Sequence, residues 1–456
     1  MSPRRLVYSL VPPAMPVGAG SAGPGSDATG SIDGRWQGRI QLPGAPLPVA
    51  VTFTQDGGGH TGTFDVPAQG LAGIPLSDVT VNGTSVGFAV PGIPGNPRFQ
   101  GEFGGTIDGQ FTQGGQSFPM SLTRGDLVPP ARPQEPKPPF PYRTDDVTYQ
   151  AGVSIAGTLS RPEGDGPFPA VLLITGSGAQ DRDETIAGHK PFLLLADTLT
   201  RAGYAVLRVD DRGVGGTGGV LADAGYDDLA ADVAVGLRYL RSRPDIRPDA
   251  VGVLGHSEGG YLGPLVAETA QAQPDFVVLM AGPATSGKDV LIEQNERIMK
   301  AAGAPQEQID EQVDFVTAYS DLVISGDFAA ATDLVNAQIA KAGGTADQGS
   351  SQLASRIGRS LLSYDPAPAL RALSVPVLAV FGGRDLQVPP TTNEPAMRQL
   401  LSGNPDATVR IFPELNHLMQ PATTGLPTEY AAIETTIDPS VLDTFVDWLR
   451  ERFPPG

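Results

Sequence analysis

The chain has 456 residues, more than one ordinary hydrophobic core serves, so two folded units are expected. Its formal net charge of -19 argues against nucleic acid and anionic bilayers as partners. The absence of cysteine removes disulfides, thiolate nucleophiles and cysteine-held metals. With 40% hydrophobic and 18% charged residues the composition is globular, and 58 Gly and 44 Pro forecast many turns.

The first 30 residues begin MSPRRLVYSLVPPAMPVGAG, a basic start and a short apolar stretch that Pro12, Pro13 and Pro16 interrupt. They read as a disordered tail rather than an export signal, which favours a cytoplasmic over an exported protein. From 31 to 126, short β-favouring runs alternate with turn dipeptides, Asn82-Gly83, Asp108-Gly109 and Gly114-Gly115, spaced as hairpin turns of a small antiparallel barrel or sandwich. His60, in DGGGHTG, reads as a solvated loop residue because no second ligand accompanies it. Segment 127–143, containing LVPPARPQEPKPPFPY, is proline-rich enough to forbid helix or sheet and reads as a stiff linker.

Residues 144–456 change to apolar strands alternating with helices, the pattern of a doubly wound, mainly parallel α/β sheet. Strands are expected at PAVLLIT, YAVLRVD, AVGVLG, DFVVLMAG, VPVLAVF and TVRIFP. Pro191 opens a helix that Gly203 closes, and Leu229, Val233, Leu237 and Leu240 share one face of the next. Between about 284 and 365 helical patterns follow one another with no strand between them, implying a helical cap over the sheet's C-terminal edge. No run approaches the ~18 apolar residues of a membrane helix, so stable membrane insertion is not expected.

VGVLGHSEGG places Ser257 on a sharp strand-to-helix turn, at the sheet edge where α/β proteins bind ligands. A serine hydroxyl needs a base to take its proton and an acid to orient that base. Of the four histidines, His417 follows the last strand, in the order Ser, Asp, His that this turn type predicts. His189 reads as a polar loop residue and His256 as packing support for the turn. Asp385 lies just past a buried strand and leads as the acid, with Asp365 and Glu414 as alternatives. Oxyanion donors are expected from the backbone N–H of Glu258 and of Ser177, with Gly178 next to it, in TGSGAQDRDE; Asp181, Arg182 and Asp183 suit an ion-pair network that stiffens this loop.

TGSGAQDRDET, LRVDDRGVGGTGG, GHSEGG and FGGRDLQVP, in this order, resemble the bacterial EstD-type esterases of the α/β-hydrolase superfamily, over roughly residues 145–450. The resemblance implies Ser257, Asp385 and His417 as a triad, a preference for short acyl esters and an additional N-terminal β domain. The expected substrate is a small-molecule ester, cleaved by acyl transfer that requires neither cofactor nor metal. Peptidase or thioesterase chemistry would use the same residues. Gly213 to Gly218 fits a dinucleotide fingerprint, but a strand precedes its own and no helix follows directly. A non-catalytic binding protein on this scaffold is the competing possibility from a different functional class.

Overall fold

The computed structural model describes residues 31–42, 46–67, 71–93, 95–113, 116–127, 130–268, 273–341 and 354–456. The tail or signal proposed for the first 30 residues and the Gly114-Gly115 turn lie outside them. The chain divides into two units, Met1–Pro130 with Ala329–Gln352, and Ala131–Phe328 with Leu353–Gly456.

In the first unit, β1 (Gly34–Ile40), β2 (Leu47–Asp56), β3 (Gly59–Val66), β4 (Leu71–Pro75), β5 (Ser77–Asn82), β6 (Ser85–Ala89), β7 (Arg98–Phe103), β8 (Ile107–Gln113) and β9 (Gln116–Arg124) form one sheet. Its order, β4-β3-β2-β1-β9-β8-β7-β6-β5, is antiparallel throughout and curls into a nearly closed barrel. Alternate residues point inward and fill it with aromatic rings: Phe88 lies against Phe53, Phe64 and Phe99. Trp36 is fully buried, and its indole N–H donates to Ile32 O at 2.7 Å.

Two turn expectations shift here. Asn82 pairs with Ser85, so the hairpin loop is Gly83-Thr84. Asp108-Gly109 is not a turn but part of β8, where Gly109 faces Gly101. A Cβ on Gly109 would stand 2.8 Å from the Phe99 ring, so glycine serves here to let that ring cross the strand. His60 sits on β3 opposite Gln55 rather than in a loop.

The second unit opens with residues 131–142, which form neither strand nor helix. Arg132 nevertheless donates to the carbonyls of Ala187, Gly188, Ala431 and Ile433, so this stretch is tied down rather than a free spacer. Next come β10 (Arg143–Ala151), β11 (Val153–Arg161), β12 (Phe168–Ile174), α1 (Pro191–Arg201), β13 (Ala205–Val209), α2 (Tyr226–Arg241), β14 (Ile246–His256), α3 (Gly259–Ala267) and β15 (Val277–Met280). They are followed by α4 (Gly287–Ala301), α5 (Gln306–Ser325), α6 (Phe328–Lys341), α7 (Arg356–Ser363), α8 (Ala367–Ala372), β16 (Val377–Gly382), α9 (Pro390–Leu400), β17 (Ala407–Phe412) and α10 (Pro439–Arg452).

The eight-stranded sheet runs β10-β11-β13-β12-β14-β15-β16-β17. Its last six positions are the strands expected from sequence, all parallel. The β10–β11 hairpin was not expected; it adds antiparallel to β13. Both faces of the sheet's central strands are covered, which is why they read as apolar runs. Leu172 and Ile174 enter the core under α2 and α3, while Val171 and Leu173 enter the core under α1 and α10.

Pro191 supplies the first turn of α1, and Gly203, at φ +106°, follows its end. At α2, Asp228 reaches back to accept from Gly225 N–H at 2.9 Å. The helical insertion contains α4 to α7, of which α6 falls almost wholly with the first unit. Among the described residues no helix is long and apolar enough to cross a membrane.

Phe88→Ala removes the ring that joins three others and is expected to lower the stability of the first unit by about 3–5 kcal/mol. Urea unfolding followed by Trp36 fluorescence in a Trp448→Phe background, where Trp36 is the sole remaining tryptophan of two, reads this directly.

Candidate active site

β14 ends at His256, and α3 begins at Gly259, leaving a turn with Ser257 at its apex. Ser257 has φ +52°, a left-handed conformation that L-residues avoid, and its N–H is held by Met280 O at 3.0 Å. The turn is too tight for side chains on either flank. A Cβ on Gly255 would lie 2.1 Å from Gly259 O, and one on Gly259 would lie 2.3 Å from Ile174 O. The G-x-S-x-G spacing is therefore a packing requirement of this bend.

His417 lies in the loop after β17, and its Nε2 stands 3.0 Å from Ser257 Oγ. Its Nδ1 is 2.8 Å from Asp385 Oδ2. A carboxylate only accepts, so Nδ1 carries the proton and Nε2 is free to accept from the serine hydroxyl. Asp385, in the loop after β16, is fixed from behind: its Oδ1 accepts from Gln387 N–H at 2.7 Å and Val388 N–H at 2.9 Å. The histidine loop is held by buried Asn416, whose Oδ1 accepts from Leu418 and Gln420 N–H, both at 3.0 Å.

The structure thus brings together Ser257, His417 and Asp385 and leaves the alternative acids apart. Asp365 instead accepts from Ala367 N–H at the start of α8. Glu414 pairs with Arg384. His189 is buried rather than in a polar loop, between Thr436 Oγ1 and Tyr430 O, both at 2.9 Å, and burial pushes it down to about 4.

Among the described residues, the backbone N–H groups of Ser177 and Glu258 have no intramolecular acceptor. Gly176 N–H is not available, because it donates to Glu184 Oε1 at 2.7 Å. Gly176 packs against Ser257; a Cβ there would lie 3.3 Å from Ser257 Cβ. The acid-rich part of the loop is stiffened, though not by pairs within the loop. Arg182 binds Asp210 at 2.6 Å and Asp183 binds Arg208, while Asp181 accepts from Asp183 and Thr185 N–H.

Two residues at the site were not legible as such. Glu184 is completely buried and lies 2.9 Å from His256 Nδ1, so the histidine supporting the turn has a carboxyl partner. Burial opposes charge on His256, but the Glu184 carboxylate and its hydrogen bond outweigh it and the imidazole is shifted upward. The sole sequence signal was a polar residue, His256, at the buried end of a strand, which demands a polar partner.

Glu258 points under the turn toward Tyr226, and burial pushes its carboxyl up to about 7. Asp211, between Thr175 Oγ1 and Gln180 N–H at 2.8 Å each, is pushed by burial to about 8. Both line a cavity of ≈ 60 Å³ that also touches Gly176, Gly178, Leu229 and Leu262; Ser257 and His417 do not line it. The Gly213–Gly218 loop folds back on β11, with Gly218 N–H donating to Ser154 O at 2.8 Å, and a turn of 3-10 helix intervenes before α2.

Helices of the insertion lie at the same sheet edge. Tyr364, just after α7, packs on Tyr226 and Tyr261, in the first turns of α2 and α3, at 5.2 and 5.1 Å. From α4, Glu293 accepts from Thr392, in the first turn of α9, at 2.7 Å.

The family described as X-Pro dipeptidyl-peptidase (S15 family) matches residues 151–388. Esterase EstD of Thermotoga maritima is 30% identical over 312 residues, 68% of this chain and 68% of its own. Putative hydrolase YtaP of Bacillus subtilis is 31% identical over 114 residues, 22% of this chain and 38% of its own. Acyl-coenzyme A thioesterase 2, mitochondrial, of Mus musculus is 26% identical over 147 residues, 30% of this chain and 27% of its own.

The Glu258 carboxyl, raised from 4.5 to about 7, contributes stability that is complete below its unfolded value and lost as pH rises through its folded one. Glu258→Gln is therefore expected to lose roughly 3 kcal/mol less stability than the wild type between about pH 4.5 and pH 8. Urea unfolding across that range checks it; parallel pH dependences in the two proteins would contradict the burial of an ionisable carboxyl here.

Proposed function

Because the chain belongs to the α/β-hydrolase superfamily, to the S15 family it matches and to the EstD-type esterases it aligns with over most of its length, it is a carboxylic ester hydrolase, and we propose that Ser257 is its nucleophile. The observation that carries this reading is the unbroken relay from Asp385 through His417 to Ser257, at 2.8 and 3.0 Å. His417 takes the Ser257 proton as Oγ attacks the ester carbonyl, and Asp385 stabilises the imidazolium that forms. Negative charge on the carbonyl oxygen is received by the N–H groups of Ser177 and Glu258 at the N-terminus of α3.

Collapse of the tetrahedral intermediate breaks the carbonyl–alkoxy bond, and His417 returns the proton to the departing alcohol. Water, deprotonated by the same imidazole, then attacks the acyl-serine and releases the carboxylic acid and the free hydroxyl. The acyl groups taken are short, as in the EstD-type resemblance, and the helical insertion 284–365 would supply the apolar surface that receives them. A peptidase reading keeps the same steps with an amine as leaving group, and the S15 family match favours it over thioester cleavage or a purely binding role.

Wild type is expected to hydrolyse p-nitrophenyl acetate and butyrate, and folded Ser257→Ala to lose at least ~10³-fold in kcat/KM. Equal rates in both would remove Ser257 from the mechanism. Faster release of p-nitroaniline from an Xaa-Pro p-nitroanilide than of p-nitrophenol from the esters would put the peptidase reading first.

A further inference from the structure

Behind the relay lies a second charged pair that the acyl-transfer steps leave unused. Glu184 Oε1 accepts from Gly176 N–H at 2.7 Å and meets His256 Nδ1 at 2.9 Å; on the far side of that ring, Nε2 meets the His417 carbonyl at 3.2 Å. Neither acceptor brings a proton, so both contacts are hydrogen bonds only when both ring nitrogens carry one. A neutral ring would set two lone pairs against each other, inside a core where Glu184 is 0% and His256 2% exposed.

Resting on the esterase reading above, we propose that Glu184 and His256 form an ion-paired brace that holds the oxyanion loop, the nucleophile turn and the catalytic base in register, both acting as positioning residues. One carboxylate oxygen joins the loop after β12 to the last residue of β14, and the ring it charges grips the backbone of the residue whose side chain is the base. Gly176 N–H is drawn toward the carboxylate, which takes it out of use as a donor and leaves that part to the N–H groups that follow, Ser177 first. Glu184 itself sits at φ +52°, a strained backbone that persists only where its surroundings fix it.

The groups facing His256 are consistent with a standing positive charge. Glu184 approaches from the oxyanion loop and Asp385 acts on it from the loop after β16. The His417 ring, 4.9 Å away, is a neighbour whose protonation would oppose it. That opposition bears on each turnover, because an imidazolium forms on His417 beside one already present, and Asp385 and Glu184 balance the two charges.

The test uses the full chain with ring-15N-labelled histidine. At about pH 8 the wild type is expected to show two ring N–H signals for His256, assigned by their loss in His256→Gln. Glu184→Gln, which keeps the size but removes the charge, is expected to lower kcat for p-nitrophenyl acetate by ~10²-fold with KM little changed. A single ring proton on His256 at that pH overturns the brace, as does a folded Glu184→Gln with wild-type kcat. Should the variant not fold, the ring protons of the wild type decide alone. Failure of the wild type to hydrolyse any ester would sink the esterase reading, and the same ring protons would still decide the brace.

Discussion

The left-handed backbone of Ser257 is the constraint from which the site is built. Such a residue costs about 1–3 kcal/mol and stays only where its neighbours leave no other conformation. Here they do: Gly255 is pressed on Gly259, Gly259 on the end of β12, and Gly260 on Gly282, each too close to admit a Cβ. These contacts also fix the neighbouring parts. The end of β12 leads into the loop that carries Gly176 and Ser177, the bend delivers the first turn of α3, and Gly282 leads out of β15 toward the insertion. The Ser257 bend, the loop after β12 and the way out toward the insertion are thus positioned by backbone-to-backbone contacts, with side chains added afterwards.

Around these contacts the core holds several charged groups, most of them met by a partner. Asp385 is held by two backbone N–H groups and a histidine. Arg182 reaches Asp210 and Thr158 together, which ties the oxyanion loop to β11. Arg208 meets Asp183. Glu258 and Asp211, lacking such cations, are instead pushed toward the neutral form. Two electrostatic solutions therefore coexist within one edge of one sheet, pairing on one flank of Ser257 and neutralisation beneath it.

The sequence disclosed the parts whose chemistry forces a local pattern. Gly255, Ser257 and Gly259 are legible because a sharp bend tolerates few residues, and the central parallel strands because a strand buried on both faces reads as an apolar run. Where the forcing is not local, the pattern is weak. In β10 and β11, RTDDVTYQA and VSIAGTLSR, one face is partly exposed and charged, so no apolar run announces them. Asp108-Gly109 looks like a turn, although its glycine answers to Phe99 across the sheet. Glu184 could not be distinguished from the acids preceding it, because what separates them is burial against His256, 72 positions away.

That unannounced hairpin has a consequence for how the sheet ends. β10 is one edge, and its outward residues are engaged in ion pairs, Arg143 with Glu163, Asp145 with Arg161 and Asp146 with Arg182. At the other edge, β17, Arg398 has already bonded the Val409 carbonyl at 2.8 Å. A strand arriving from a second chain would meet fixed charge on one side and an occupied acceptor on the other, the features by which natural sheets resist edge-to-edge growth. The hairpin that completes the eight-stranded sheet also sets paired charge along its outer strand.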